Sequence, residues 1–110
     1  MALYMWQGSY TAESWAAQMK NPQNRVNLVG DAACAAVGGK LVGGWYCFGD
    51  YDVMVICDVP NAEAMAAISI ALGAGGAVSS GKTTVLMSGA DAVNAIAKAN
   101  DVAKTYRPAR

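Results

Sequence analysis

The chain contains no histidine, and this absence narrows its possible chemistry. His-ligated haem, zinc sites built on histidine and His-based catalytic triads are all excluded. Its three cysteines, Cys34, Cys47 and Cys57, are odd in number and form no C-x-x-C pair, which favours reduced structural thiols. Neither their spacing nor that of the carboxylates suggests a metal site. We therefore expect no metal and no cofactor.

Charge is also scarce. Charged residues make up 15% of the chain, and eight basic residues balance eight acidic ones, so no patch is basic enough to predict a nucleic-acid partner. Low charge and zero net charge favour self-association. No apolar run approaches the ~20 residues of a membrane span, and the N-terminus lacks the basic and apolar segments of a signal peptide. These features predict a cytoplasmic protein with no membrane partner.

What the chain does contain is an alternation of strand and helix signals. They predict the order β-α-β-β-α-β followed by one more helix, an α+β, ferredoxin-like pattern with a four-stranded antiparallel sheet and both crossover helices on one face. We expect one domain over residues 1–104 and a tail over residues 105–110. The predicted strands and main helices are Ala2–Gly8, Arg25–Val37, Lys40–Phe48, Tyr51–Val59, Ala62–Ala74, Ala77–Met87 and Asp91–Lys104.

The central hairpin is predicted to turn at Gly49-Asp50. A two-residue turn would pair Tyr46 with Val53, Gly44 with Val55 and Val42 with Cys57. The opposite face would then carry Leu41, Gly43, Trp45, Cys47, Asp52, Met54, Ile56 and Asp58.

Both faces of this hairpin are apolar, although helices are expected on only one of them. The uncovered side, which we call the open face, is too apolar to remain in water alone. We expect a second copy of the chain to cover it, giving a homodimer or a higher homo-oligomer. The alternative is a monomer in which the C-terminal helix folds across this face.

The hairpin and its surroundings resemble the GYD domain family over roughly residues 2–100. The resemblance lies in Gly39-Lys-Leu, an aromatic strand, the Gly49-Asp-Tyr51-Asp52 signature, an aliphatic strand ending in Asp58 before Pro60, and an alanine-rich helix with a glycine-rich turn. It implies a ferredoxin-like fold of the dimeric α/β-barrel type and small prokaryotic proteins, but no activity. The chain departs from the usual pattern in having fewer charged residues.

Candidate functional residues lie on the hairpin and the first strand. Trp45 and Tyr4 could stack a flat ligand or anchor an interface, and Met54 and Ile56 would adjoin them. Asp52 could act as a general base in a cavity between two sheets, or it could bond the backbone amides of its own turn.

These residues allow two functions. One is a homo-oligomeric binding or assembly protein, with a small-molecule ligand possible and no assignable reaction. The other is a cofactor-free enzyme, an isomerase or monooxygenase acting on a small flat organic substrate in the sheet–sheet cavity. We prefer the first, because both sheet faces are apolar and no catalytic constellation is present. Tyr51, on the opposite face from Asp52, is expected in the core.

One string imitates a nucleotide-binding loop. Residues Gly76 to Thr83 fit G-x-x-x-x-G-K-[ST]. A P-loop follows a buried strand and opens a helix whose amides hold the phosphates. Here a predicted helix precedes the string and a predicted strand follows it. We therefore expect a Gly/Ser-rich turn that opens a strand, with Lys82 on the sheet or at an interface.

Overall fold

The computed structural model describes residues 1–109, and Arg110, the end of the predicted tail, lies outside the described residues. The described chain has four strands and four helices in the predicted order, the first crossover being split into two helices. The elements are β1 (Ala2–Tyr10), α1 (Ala12–Lys20), α2 (Arg25–Ala36), β2 (Lys40–Tyr46), β3 (Val53–Val59), α3 (Ala62–Ala74), β4 (Val78–Val85) and α4 (Gly89–Ala103).

The strands form one sheet in the order β2-β3-β1-β4, and every neighbouring pair is antiparallel. This confirms the predicted α+β, ferredoxin-like class. β1 and β3 are central, so their residues have a strand on both sides. Within residues 1–109, no helix combines the length and apolar character needed to cross a membrane.

Short polar side chains start the helices. Thr11, Asn24, Asn61 and Ser88 each accept a hydrogen bond from the backbone N–H three residues later, at 3.0 to 3.2 Å. Such caps satisfy amides that the first helical turn leaves without a partner. The break between α1 and α2 follows from Pro22, since proline disfavours a helical residue before it.

The hairpin differs from its prediction at both ends. Tyr46 pairs with Val53 and Gly44 with Val55 as predicted, but Cys57 pairs with Leu41 rather than with Val42. The reason is a β-bulge, which sets an extra residue in β2 and turns the side chains beyond it to the other face. Leu41 therefore lies against Gly30 of α2 and not on the open face.

The predicted two-residue turn is also wrong. The strands end at Tyr46 and Val53, and six residues, 47 to 52, connect them. Phe48 adopts a left-handed backbone conformation with φ of 48°, and the Gly49 amide donates to the Tyr51 carbonyl at 2.9 Å. This backbone conformation and this hydrogen bond belong to a loop that is wider than the two-residue turn predicted from Gly49-Asp50.

The core lies between the sheet and the helices α2 and α3. Alternate residues of the central strands point into it, as expected for a strand with two different faces. Its buried members are Tyr4, Trp6, Val26, Cys34, Val53, Val55, Cys57, Val59, Met65 and Ile68.

The last helix, α4, stands apart from this core. It has no buried residue and packs along no other element of the described chain. Its apolar side chains Val93, Ile96 and Val102 are all exposed. In this structure α4 does not cover the open face, in contrast to the monomeric alternative.

Candidate functional site

The open face is the side of the sheet opposite α2 and α3. Trp45 pairs with Met54, Gly43 with Ile56, and the central strand β1 adds its odd-numbered residues beside them. The structure therefore brings together Trp45, Met54 and Ile56 as predicted. The apolar side chains of this face are Leu3, Met5, Trp45, Met54 and Ile56.

Trp45 dominates this face because its indole lies flat on the sheet. A Cβ placed on Gly43 would come within 2.6 Å of Cη2 of the indole, so the ring covers the glycine two residues before it. The side chain is nevertheless 51% exposed. The flat apolar indole ring is thus exposed to solvent, and Leu3 on the same face is also 40% exposed.

Charged groups border the same surface. Lys40 and Leu3 both pair with Asp58, and Lys82 pairs with Gln7 on the far side of β1. The Asp58 Oδ1 atom is buried and has no hydrogen-bond partner among the described residues. The open face therefore carries both signs of charge and one carboxylate oxygen that still lacks a partner.

The position of Lys82 shows that the P-loop-like string, Gly76 to Thr83, does not have the structure of a P-loop. It lies inside β4, and so do Gly81 and Thr83, where a P-loop would have a helix start. The Thr83 hydroxyl is 2.8 Å from that of Ser69 on α3. Lys82 lies on the sheet as predicted, but the turn before it covers only residues 75–77, and the rest of the string belongs to β4.

Asp52 does not share the open face with Trp45. Its Oδ2 atom accepts hydrogen bonds from the Tyr10 amide at 2.9 Å and from Nε1 of Trp15 at 3.3 Å. Its own amide donates to the Gly8 carbonyl at 2.9 Å. Asp52 thus ties the hairpin loop to the end of β1 and to α1, and neither bond of its carboxylate goes to the turn amides.

Four aromatic rings surround this junction. Tyr10 meets Trp15 edge to face at 5.1 Å between centroids, Trp15 lies 6.2 Å from Phe48, and Phe48 stacks on Tyr46 at 5.8 Å. The Tyr46 hydroxyl donates to Gln18 at 3.2 Å. We call Tyr10, Trp15, Tyr46, Phe48 and Asp52 the aromatic junction. Its geometry is that of a structural joint between α1 and the sheet.

The other predicted site residues are separated from Trp45. Tyr4 is only 8% exposed and points into the core, on the opposite side of the sheet. The two rings therefore cannot stack one ligand, which corrects the pairing expected from the sequence. Gly49 and Tyr51 lie in the hairpin loop, where Tyr51 is half-buried and its carbonyl accepts from the Cys47 thiol at 3.2 Å.

Sequence reasoning missed a cavity on the helix side. Helices α2 and α3 pack on the sheet rather than on each other and leave a space of about 270 Å³ between them. Arg25 and Tyr10 border it, and Arg25 also borders a shallower outer cleft of about 600 Å³. No local motif marks such a cavity, because it depends on how far apart two helices lie.

Burial perturbs several groups that line this cavity. Burial, followed by the neighbouring Tyr46 hydroxyl, raises the pKa of Tyr10 to about 12. Burial likewise raises the pKa of Cys34, and it raises that of Cys57 to about 12. All three groups are therefore neutral at pH 7. Within residues 1–109, no three potential ligands among Cys, Asp and Glu lie close enough to hold a metal ion.

Comparison with known proteins identifies a family for this chain. No curated protein and no solved structure matches the chain significantly. A family model does match, that of the GYD domain, over residues 4–96, which include β2, β3, β4, most of β1 and the helices packed on the sheet. The chain therefore belongs to the GYD domain family.

Proposed function

We propose that this protein is a homo-oligomeric binding or assembly protein, in which the open face of one copy packs against the open face of another. The observation that carries the proposal is the half-exposed Trp45 indole lying flat among Met54, Ile56 and Leu3. Contiguous apolar surface of this kind marks interaction sites. Aromatic side chains are also enriched among interface anchors.

The energy available at Trp45 is substantial. A tryptophan side chain buries at most about 250 Å², so covering its exposed half removes on the order of 100 Å² from water. At about 25 cal/mol per Å², this is worth about 2–3 kcal/mol per copy before the cost of association. A symmetric pair gains it twice, since the same residue lies on both sides of a two-fold interface.

The charges of the open face are compatible with a second copy. Lys40, Lys82 and Asp58 place both signs on a surface that must be complementary to itself in a two-fold dimer. The zero net charge of the whole chain adds no long-range repulsion between copies.

No observation favours the alternative of a cofactor-free enzyme. That hypothesis needed Asp52 beside Trp45 in a sheet–sheet cavity. The Asp52 carboxylate is instead engaged by Tyr10 and Trp15 of the aromatic junction. A general base must be able to reach the proton it removes, and this one faces away from the proposed substrate position.

Light scattering after size exclusion tests the proposal directly. At micromolar concentration the wild type is expected to run as a dimer or larger, and Trp45→Glu as a folded monomer, because a carboxylate would be buried without a partner. Leu28→Glu is the matched control: Leu28 is 58% exposed on α2, on the other side of the sheet, and its variant should keep the wild-type mass. A monomeric wild type, or an oligomer that survives Trp45→Glu, would contradict the proposal.

A further inference from the structure

The cavity between α2 and α3 has the character of a small-molecule site. Its floor is formed by Trp6 and Val55 of the sheet, and its walls by Val29 and Ala33 of α2 and Ile68 of α3. Its volume of about 270 Å³ is close to the lower end of ligand sites, about 300 Å³. An engineered apolar cavity of about 150 Å³ already binds benzene, so this one can hold a larger apolar group.

One charged side chain stands at this cavity. Arg25, the first residue of α2, is the only charged residue among the described residues that line it. Arg25 makes no ion pair with any carboxylate in residues 1–109, although Glu13 borders the outer cleft beside it. Arg25 is itself exposed to solvent, so its positive charge borders the apolar cavity without a paired carboxylate.

No residue that lines the cavity together with Arg25 carries a negative charge. Tyr10, its neighbour at the cavity, is protonated at pH 7 because its pKa is raised to about 12. The first turn of α2 contains no acidic residue, whereas α1, α3 and α4 each have one. The partial positive charge of a helix start thus adds to that of Arg25.

We propose that this cavity binds a small amphipathic carboxylic acid, with its apolar chain or ring between α2 and α3 and its carboxylate at Arg25. Charge complementarity selects the head group, since guanidinium and carboxylate form paired, charge-assisted hydrogen bonds. The apolar lining of the cavity selects the apolar chain or ring of the ligand. The site lies on the opposite side of the sheet from the open face, so it is independent of the proposed oligomer.

Calorimetry on the full chain at pH 7 can test both halves of the ligand. Octanoate is the probe. Octan-1-ol is a control with the same alkyl chain but no charge, and acetate is a control with the carboxylate but no long alkyl chain. We expect octanoate to bind with a dissociation constant of about 1 mM or tighter. Octan-1-ol should bind about tenfold more weakly, and acetate should not bind measurably.

Two variants, each with a matched control, locate the site. Arg25→Gln should weaken octanoate about tenfold and leave octan-1-ol unchanged, whereas Lys20→Gln, at the end of α1, should change neither. Ala33→Leu should fill the cavity and abolish both, whereas Ala32→Leu, exposed on the same helix, should abolish neither. Octanoate binding that is insensitive to Arg25→Gln would overturn the assignment.

A measurement on the wild type covers the case in which Ala33→Leu fails to fold. Intermolecular nuclear Overhauser effects should join the octanoate methylene groups to the methyl groups of Val29 and Ile68. Contacts to Met54 and Ile56 would instead place the ligand on the open face and refute the proposed site. Absence of octanoate binding at 10 mM, on the order of tenfold above the expected constant, would refute it as well.

Discussion

Removing the Asp52 carboxylate should destabilise the protein measurably. Asp52 joins three parts of the chain, since its Oδ2 accepts from the Tyr10 amide and from Trp15 Nε1 while its amide bonds Gly8. Asp52→Ala keeps the last of these bonds but leaves the two donors without an acceptor. Each hydrogen bond to a charged group contributes about 1.5–3 kcal/mol, and partial exposure lowers this.

We therefore expect Asp52→Ala to lower the free energy of unfolding by about 2–3 kcal/mol. For a domain of this size, each kcal/mol corresponds to roughly 4 °C in the melting temperature, so the midpoint should fall by about 8–12 °C. Asp52→Asn retains one acceptor oxygen and should cost about 1 kcal/mol. Urea unfolding followed by tryptophan fluorescence measures both, at one fixed protein concentration because association shifts apparent stability.

Asp50→Ala is the control, because Asp50 is an exposed residue of the same loop. It should change stability by less than about 0.5 kcal/mol. If Asp52→Ala costs no more than Asp50→Ala, the junction does not hold the hairpin to α1. If Asp52→Ala has the wild-type free energy of unfolding but abolishes a chemical activity of the protein, then Asp52 does not have the structural role assigned to it here.

Two further changes probe the sheet and its pH dependence. Gly8→Ala should lower the free energy of unfolding in urea by about 1–3 kcal/mol, because its Cβ would overlap the buried Trp6 ring. As a control, the Cβ of Gly73→Ala in α3 meets nothing within 4 Å, so this variant should raise the free energy of unfolding by about 0.5–1 kcal/mol. Equal effects of the two variants would contradict this packing. Between pH 9 and 12 the melting temperature should fall, since burial raises the pKa of Tyr10 from 10 and that of Cys57 from 9 to about 12 in the folded chain, so both groups ionise earlier in the unfolded one. Tyr10→Phe should flatten that decline and the exposed Tyr106→Phe should not, and the reverse pattern would refute the assignment.

Regular alternation made the open face predictable from the sequence. Side chains of a strand change sides at every residue, so Trp45, Met54 and Ile56 share a face whatever surrounds them. The same rule misplaced Leu41 and Val42, because a bulge reverses the alternation. The bulge directs the Leu41 side chain towards Gly30 of α2, a contact between distant parts of the chain that the residues of β2 alone do not predict.

Asp52 shows where sequence reasoning could not reach. Its partners are 37 and 42 residues away along the chain, so neither spacing nor turn chemistry identifies them. The sequence likewise suggests that Tyr4 and Trp45 stack one flat ligand, because both are aromatic. The strand register, which the sequence does not contain explicitly, places the two rings on opposite sides of the sheet.

The sequence by itself determined the order of strands and helices, the family signature and the apolar character of both sheet faces. These features depend on short-range spacing, and short-range physics is the same in any fold. Only the tertiary structure decided the partners of Asp52, the exposure of α4 and the cavity beside Arg25. Each of these depends on distances between elements far apart in the chain, which packing alone sets.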